Sequence, residues 1–254
     1  MINKYKDRVF TNNKNLEFKI IYYKDTNNVI VEFIKTGYVK STTMRSINNG
    51  TLKDKLSPTV CGVGVLGYKY KVTFDCNEYN KHEVWRGFIR RCYDEKHQIN
   101  NPSYIGCNVS DNFKNYSYFY EWCDKQVGFN QKDDDGEYFH IDKDLLVKGN
   151  KTYSEETCVF IPKAINLALV KSVTSRGKFP MGVLWKESKK RFVARIAMGN
   201  KPVDIGYFKS STEAFNAYKQ AKENYLKELA EKWKDEIDPR AYNALMNYQV
   251  EITD

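Results

Sequence analysis

The sequence predicts an α+β chain of several modules, and three observations lead there. Segments rich in Ile, Val, Phe and Tyr read as strands near residues 17–34 and again at 181–207. Apolar residues fall at helical spacing at 85–92 and 113–125, and a long amphipathic stretch follows Ser211. The charge is uneven, with most of the net +9 lying between residues 171 and 209. With 254 residues, 41% hydrophobic and 15% aromatic including 19 Tyr, the chain can fill packed cores and is not of disordered type. Mean hydropathy is −0.66. No stretch approaches the ~20 apolar residues of a spanning helix, so no membrane partner is expected. Met1-Ile2-Asn3-Lys4 opens no apolar leader, and the expected location is the cytoplasm.

Residues 1–72 read as a β-rich N-terminal module. Strands are expected at 17–23 and 28–34, with Asp25-Thr26-Asn27-Asn28 as turn chemistry between them. Gly62-Val63-Gly64-Val65-Leu66-Gly67 satisfies G-x-G-x-x-G. A dinucleotide fingerprint must open a helix, however, and Tyr68-Lys69-Tyr70-Lys71-Val72 is strand-like, so the glycines read as a connector and no small-molecule cofactor is expected.

Residues 78–170 form a second module. Trp85, Phe88, Ile89 and Cys92 share a face of a helix over 82–97, and Tyr116, Phe119, Tyr120 and Cys123 do so over 113–125. A strand at 138–146, a turn at Gly149-Asn150, a strand at 157–161 and a helix opening at Pro162 follow. Cys61, Cys76, Cys92, Cys107, Cys123 and Cys158 lie at least fifteen positions apart with no C-x-x-C pair, which favours free, buried thiols over disulfides or a zinc site.

The third module spans 171–235, with a C-terminal helix and tail at 236–254. Between 171 and 209 ten cations (among them Arg176, Lys178, Lys186, Lys189, Lys190, Arg191, Arg195 and Lys201) face two acids, Glu187 and Asp204. In the strand at 191–197, Phe192, Ala194 and Ile196 alternate with Arg191, Val193 and Arg195, giving a packing face and a cationic one. The helix capped by Ser211 carries five Lys and five acids over 210–235, so the positive charge belongs to the sheet. A three-stranded basic sheet braced by that helix has the form that lies in a groove of duplex DNA. A solvated charged sheet is the plainer alternative.

Gly182-Val183-x-Trp185, Lys190-Arg191-Phe192-x-Ala194-Arg195-Ile196, Ile205-Gly206-Tyr207-Phe208 and Glu213-Ala214-x-x-Ala217-Tyr218-x-x-Ala221 together resemble the AP2 family of DNA-binding domains over about 176–233. The resemblance implies a sheet that enters the major groove with the helix behind it. Lys186 and Lys201 match the family's contacting cations, while Met181 and Leu184 stand where arginines are common.

A second constellation is His140-Ile141-Asp142-Lys143-Asp144 with Asn150 and Asn166. On a strand His140, Asp142 and Asp144 share a face, putting an imidazole and two carboxylates within reach of a divalent cation and a water. With Trp85-x-x-Phe88-x-x-Arg91-Cys92-Tyr93 upstream, residues 78–170 resemble phage-encoded HNH endonucleases, whose ββα hairpin holds one metal. The resemblance implies hydrolysis of a DNA phosphodiester in the host cytoplasm, with His140 as base, Asp142 and Asp144 as ligands of Mg²⁺ or Mn²⁺, and Asn150 completing the catalytic set. Several alternatives stand beside it. The hairpin is then a relic in a catalytically inactive DNA-binding protein, with Asp142 and Asp144 solvated or paired to Lys143 and Lys148, or the chain is an RNA-binding accessory protein. A Cys158–His140 nucleophile pair is the remaining option, against a buried strand cysteine.

Overall fold

The computed structural model describes residues 4–5, 8–70, 72, 79–170, 179–199 and 201–252. Cys76, Arg176 and Lys178 lie outside the described residues. Strands β1 (Val9–Thr11), β2 (Glu17–Asp25), β3 (Asn28–Phe33) and β4 (Val39–Thr42) form an antiparallel sheet in chain order. Asp25 closes the β2–β3 hairpin by accepting from the Asn27 amide at 2.8 Å and from the Asn28 side chain, the local bonding that makes Asp a turn residue. Helix α1 (Met44–Asn48), capped by Thr43, and the short pair β5 (Pro58–Val60) and β6 (Gly64–Val65) follow. At the G-x-G-x-x-G run, Cys61–Val63 turn the chain between β5 and β6 and Gly64-Val65 are β6 itself, and among the described residues no helix opens directly after Gly67.

Next come α2 (Lys81–Tyr93), α3 (Glu95–Asn100), β7 (Asn108–Val109), α4 (Tyr116–Cys123), β8 (His140–Asp142), β9 (Thr152–Tyr153), β10 (Val159–Ile161) and α5 (Lys163–Leu169). The single helix expected over 82–97 is two. Asp94 leaves helical geometry and caps α3 by accepting from the His97 amide at 3.1 Å. The chain ends in β11 (Val183–Lys186), β12 (Arg191–Met198), β13 (Lys201–Phe208), α6 (Ser211–Trp233) and α7 (Pro239–Met246).

Two compact units result. One takes Met1–Thr73, Trp85–Ile105 and Asp111–Tyr120, and the other Phe74–Val84, Gly106–Ser110 and Glu121–Asp254. In the first, Phe18, Ile20, Val29, Val31 and Phe33 bury one face of the β1–β4 sheet against Met44, Ile47 and Leu52. The same unit buries Trp85, whose Nε1 donates to the Phe113 carbonyl at 2.8 Å and so meets its one polar demand.

The second unit holds both constellations singled out in the sequence. Helix α6 packs on the β11–β12–β13 sheet through Ala214, Phe215 and Tyr218, which meet Val183, Ala194 and Ile196. Its start is a capping box one residue ahead of the expected cap: Ser210 accepts from the Glu213 amide, and the Glu213 carboxylate accepts from the Ser210 amide. Gly182 has φ +74°, and a Cβ added there would overlap the Tyr218 ring. Gly182→Ala therefore combines left-handed strain of about 1–2 kcal/mol with overpacking of about 1–3 kcal/mol. Urea unfolding should show a loss of roughly 2–4 kcal/mol, and a loss below 0.5 kcal/mol would mean that the Tyr218 contact does not hold this corner.

Candidate functional site

The basic sheet is antiparallel in the order β11-β12-β13. Period-two alternation puts Phe192, Ala194 and Ile196 against α6, with Val183 and Phe208 beside them. On the opposite face the register aligns Lys186 with Arg191, and Leu184 with Val193 and Tyr207. Leu184 and Tyr207 are 41% and 42% exposed, while Val193 between them is 1% exposed. The open face is thus an apolar strip with cations at one end, and not the wholly cationic surface that alternation along β12 alone implies.

Tyr207 is bracketed by two ammonium groups. Lys186 Nζ lies 3.4 Å from its hydroxyl, and Lys189 Nζ lies 4.8 Å from its ring centroid, an arrangement that suits the ring quadrupole. Lys189 reaches it from a 3₁₀ turn, Glu187–Lys189, which ends at Lys190 in the left-handed region with φ 48°. Arg191 and Lys190 are exposed. Arg195 differs from the other cations. The register that runs unbroken from the Met198–Lys201 pair at the hairpin tip sets it opposite Asp204, just short of the bulge at Ala194, and Nε donates to Oδ1 at 2.5 Å. The hydrogen bond from Arg195 is the main cause that holds the Asp204 carboxyl below its ordinary range, and the same bond raises the Arg195 guanidinium. Lys201, opposite Met198 at the hairpin tip, lies by register on the side of Ile196 and not on that of Arg191.

The second constellation is assembled from β8, β10 and α5. Strands β8 and β10 pair antiparallel, with His140 opposite Ile161 and Asp142 opposite Val159, and α5 follows directly after Pro162. Asn166 on α5 brings its amide nitrogen to 3.4 Å from His140 Nδ1. With that amide donating, Nδ1 accepts and the ring proton sits on Nε2.

The strand expected over 138–146 ends at Asp142, so Asp144 does not share a strand face with His140. The cause is local. Asp142 Oδ1 accepts from the amides of Asp144 at 3.0 Å and Leu145 at 2.7 Å, a turn that competes with strand extension. Asp142 is 8% exposed. Burial, then the nearby Asp144 charge, push its carboxyl up to about 6. Asp144 points outward and pairs with Lys143 Nζ at 3.3 Å. Asn150 spends its side chain on the turn, donating to the carbonyls of Lys143 and Thr152 at 2.6 and 2.7 Å and accepting from the Thr152 amide.

A hard divalent cation needs several convergent oxygens at about 2.0–2.6 Å. Asp142 turns one oxygen to backbone amides, Asn150 turns both polar atoms to backbone, and an ammonium lies beside Asp144. Among the described residues no three of His, Cys, Asp and Glu converge as a ligand set. As they stand, the Asp142 and Asp144 carboxylates are engaged by backbone amides and by Lys143. Cys158 is fully buried, and burial pushes its thiol up to about 12, so it stays protonated at neutral pH and is no partner nucleophile for His140. His82 and His97 are both half-buried.

Sequence reasoning passed over Tyr207 and Leu184. Leu184 meets Val193 across the turn between β11 and β12, but counting back from the hairpin at Gly199 sets Gly206 opposite Val193, and only the bulge after Ala194 puts Tyr207 there, so strand periodicity held no signal for it. No family model, curated protein or solved structure matches the chain.

Proposed function

We propose that this chain binds duplex DNA through the open face of the β11–β12–β13 sheet. The observation that carries the reading is the gathering of Lys186, Lys189 and Arg191 around an exposed apolar strip, on a face that α6 leaves uncovered. Dimensions support it as well. Three strands at about 4.8 Å spacing make a slab roughly 10 Å wide, which enters a major groove about 12 Å wide and not a minor groove about 6 Å wide. Helix α6 stiffens the slab from behind, so docking costs little ordering entropy.

The test is a titration of fluorescent duplex DNA across salt concentrations. Contacts from three or more sheet cations predict a log–log slope of about −3 or steeper. Salt-independent binding, or none at low salt, removes the reading.

A second reading, metal-dependent DNA endonuclease of HNH type, is favoured by one observation: β8, β10 and α5 form a ββα unit in which His140 faces Asn166. Incubating supercoiled plasmid with Mg²⁺ or Mn²⁺, and in parallel with EDTA, decides it. Nicking that EDTA abolishes and that His140→Ala slows by about 10²–10⁴-fold supports the nuclease. Plasmid that stays supercoiled with every metal leaves a binding protein alone.

A further inference from the structure

We infer that the sheet reads the 5-methyl groups of pyrimidines in the major groove, thymine above all. The inference rests on the duplex-binding reading and names what that face discriminates. Side chains that recognise guanine in the major groove are arginines or lysines free to engage O6 and N7, whereas the thymine methyl is met by apolar contact. At the centre of the open face stand Leu184, 41% exposed, and Tyr207, 42% exposed, with Val193 packed between them. The bulge adds Ile205, 36% exposed, to the same strand. The central arginine, Arg195, is tied to Asp204 at 2.5 Å and must break that pair to reach a base.

The remaining cations lie at the margin. Lys186 and Arg191 are cross-strand partners at the end of β11 and the start of β12, and Lys189 sits in the connecting turn. Lys186 and Lys189 reach over Tyr207, so the apolar surface left open to base edges is centred on Leu184, with positive charge toward phosphates on the Tyr207 side.

The experiment uses the full chain, two matched pairs of duplexes and one variant. The first pair is A·T-rich with thymine or with deoxyuridine, which lacks only the methyl. The second is G·C-rich with cytosine or with 5-methylcytosine, which puts a methyl at the equivalent position. The third comparison repeats both pairs with Leu184→Ala. Thymine over deoxyuridine by about fourfold per engaged methyl, a gain of the same sign for 5-methylcytosine, and loss of both in Leu184→Ala with the salt slope retained are the expected results. Circular dichroism establishes that the variant is folded, and Leu184, being exposed, carries none of the α6 contact. Equal affinity of the wild type for thymine and deoxyuridine duplexes overturns methyl reading and leaves duplex binding standing. Failure to bind any duplex overturns both, and tighter binding to single strands than to duplex does the same.

Discussion

On the proposed duplex-binding reading, changing Lys186, Lys189 and Arg191 together to Ala should lower duplex affinity on the order of 10²-fold near 0.1 M salt and flatten the log–log salt slope by roughly 2.7, about 0.9 for each cation lost. These side chains lie at the margin of the open face, and none belongs to the core that Val183, Ala194 and Ile196 form with α6. The unfolding midpoint should therefore move little. Arg195→Ala is the matched control. Its charge is already spent on Asp204, so its slope change stays under about half a unit. Asp204→Asn releases that guanidinium and steepens the slope. A triple variant that is folded by circular dichroism and keeps the wild-type affinity puts the nucleic-acid site somewhere other than this sheet.

Asp142→Asn raises stability at neutral pH. The Asp142 carboxyl, ordinarily near 3.8, is pushed up to about 6, chiefly by burial. A carboxyl whose folded pKa lies above its unfolded value holds its proton more tightly when folded. Its ionisation therefore costs stability, with no cost below about pH 4, a growing cost through the window from 4 to 6, and the full cost above. Two units at about 1.4 kcal/mol each set the scale at 2–3 kcal/mol, an order-of-magnitude figure. Asparagine keeps an oxygen for the amides of Asp144 and Leu145 and carries no charge to desolvate. Urea unfolding of both proteins should show the variant more stable at pH 7.5 and equal to the wild type at pH 4. A variant less stable at pH 7.5 would mean that a cation compensates the carboxylate in the folded chain.

Much of the second unit was legible one element at a time. Ser210-Ser211 followed by Glu213 and a period-3.6 apolar stripe announces the start and inner face of α6, because capping and amphipathicity are properties of neighbours in sequence. Asp238-Pro239 likewise announces α7, where Asp238 accepts from the Arg240 amide at 2.7 Å. The alternation of Phe192, Ala194 and Ile196 with Arg191, Val193 and Arg195 names the two faces of β12 for the same reason. His140 and Asn166, twenty-six residues apart, were named together, and α5 brings them to 3.4 Å.

By itself the sequence determined where β2, β3, β12, α6 and α7 begin to within a residue, which side of β12 and α6 is apolar, and that the excess positive charge belongs to the sheet. Tertiary structure alone decided what the polar residues do there. Whether Asp142 extends a strand or turns the chain depends on two competing sets of hydrogen bonds, and burial beside β10 is not written in the local pattern. Whether Arg195 is free or spent depends on how β12 and β13 pair from the hairpin tip, which sets Asp204 opposite it, while the bulge beyond shifts the partners of Ala194 and Val193 by one residue. Tyr207 gains its two ammonium neighbours by the same cross-strand register. Periodicity specifies one strand at a time, whereas the charge and reach of a site follow from which strands meet and in what register, and those are properties of the assembled sheet.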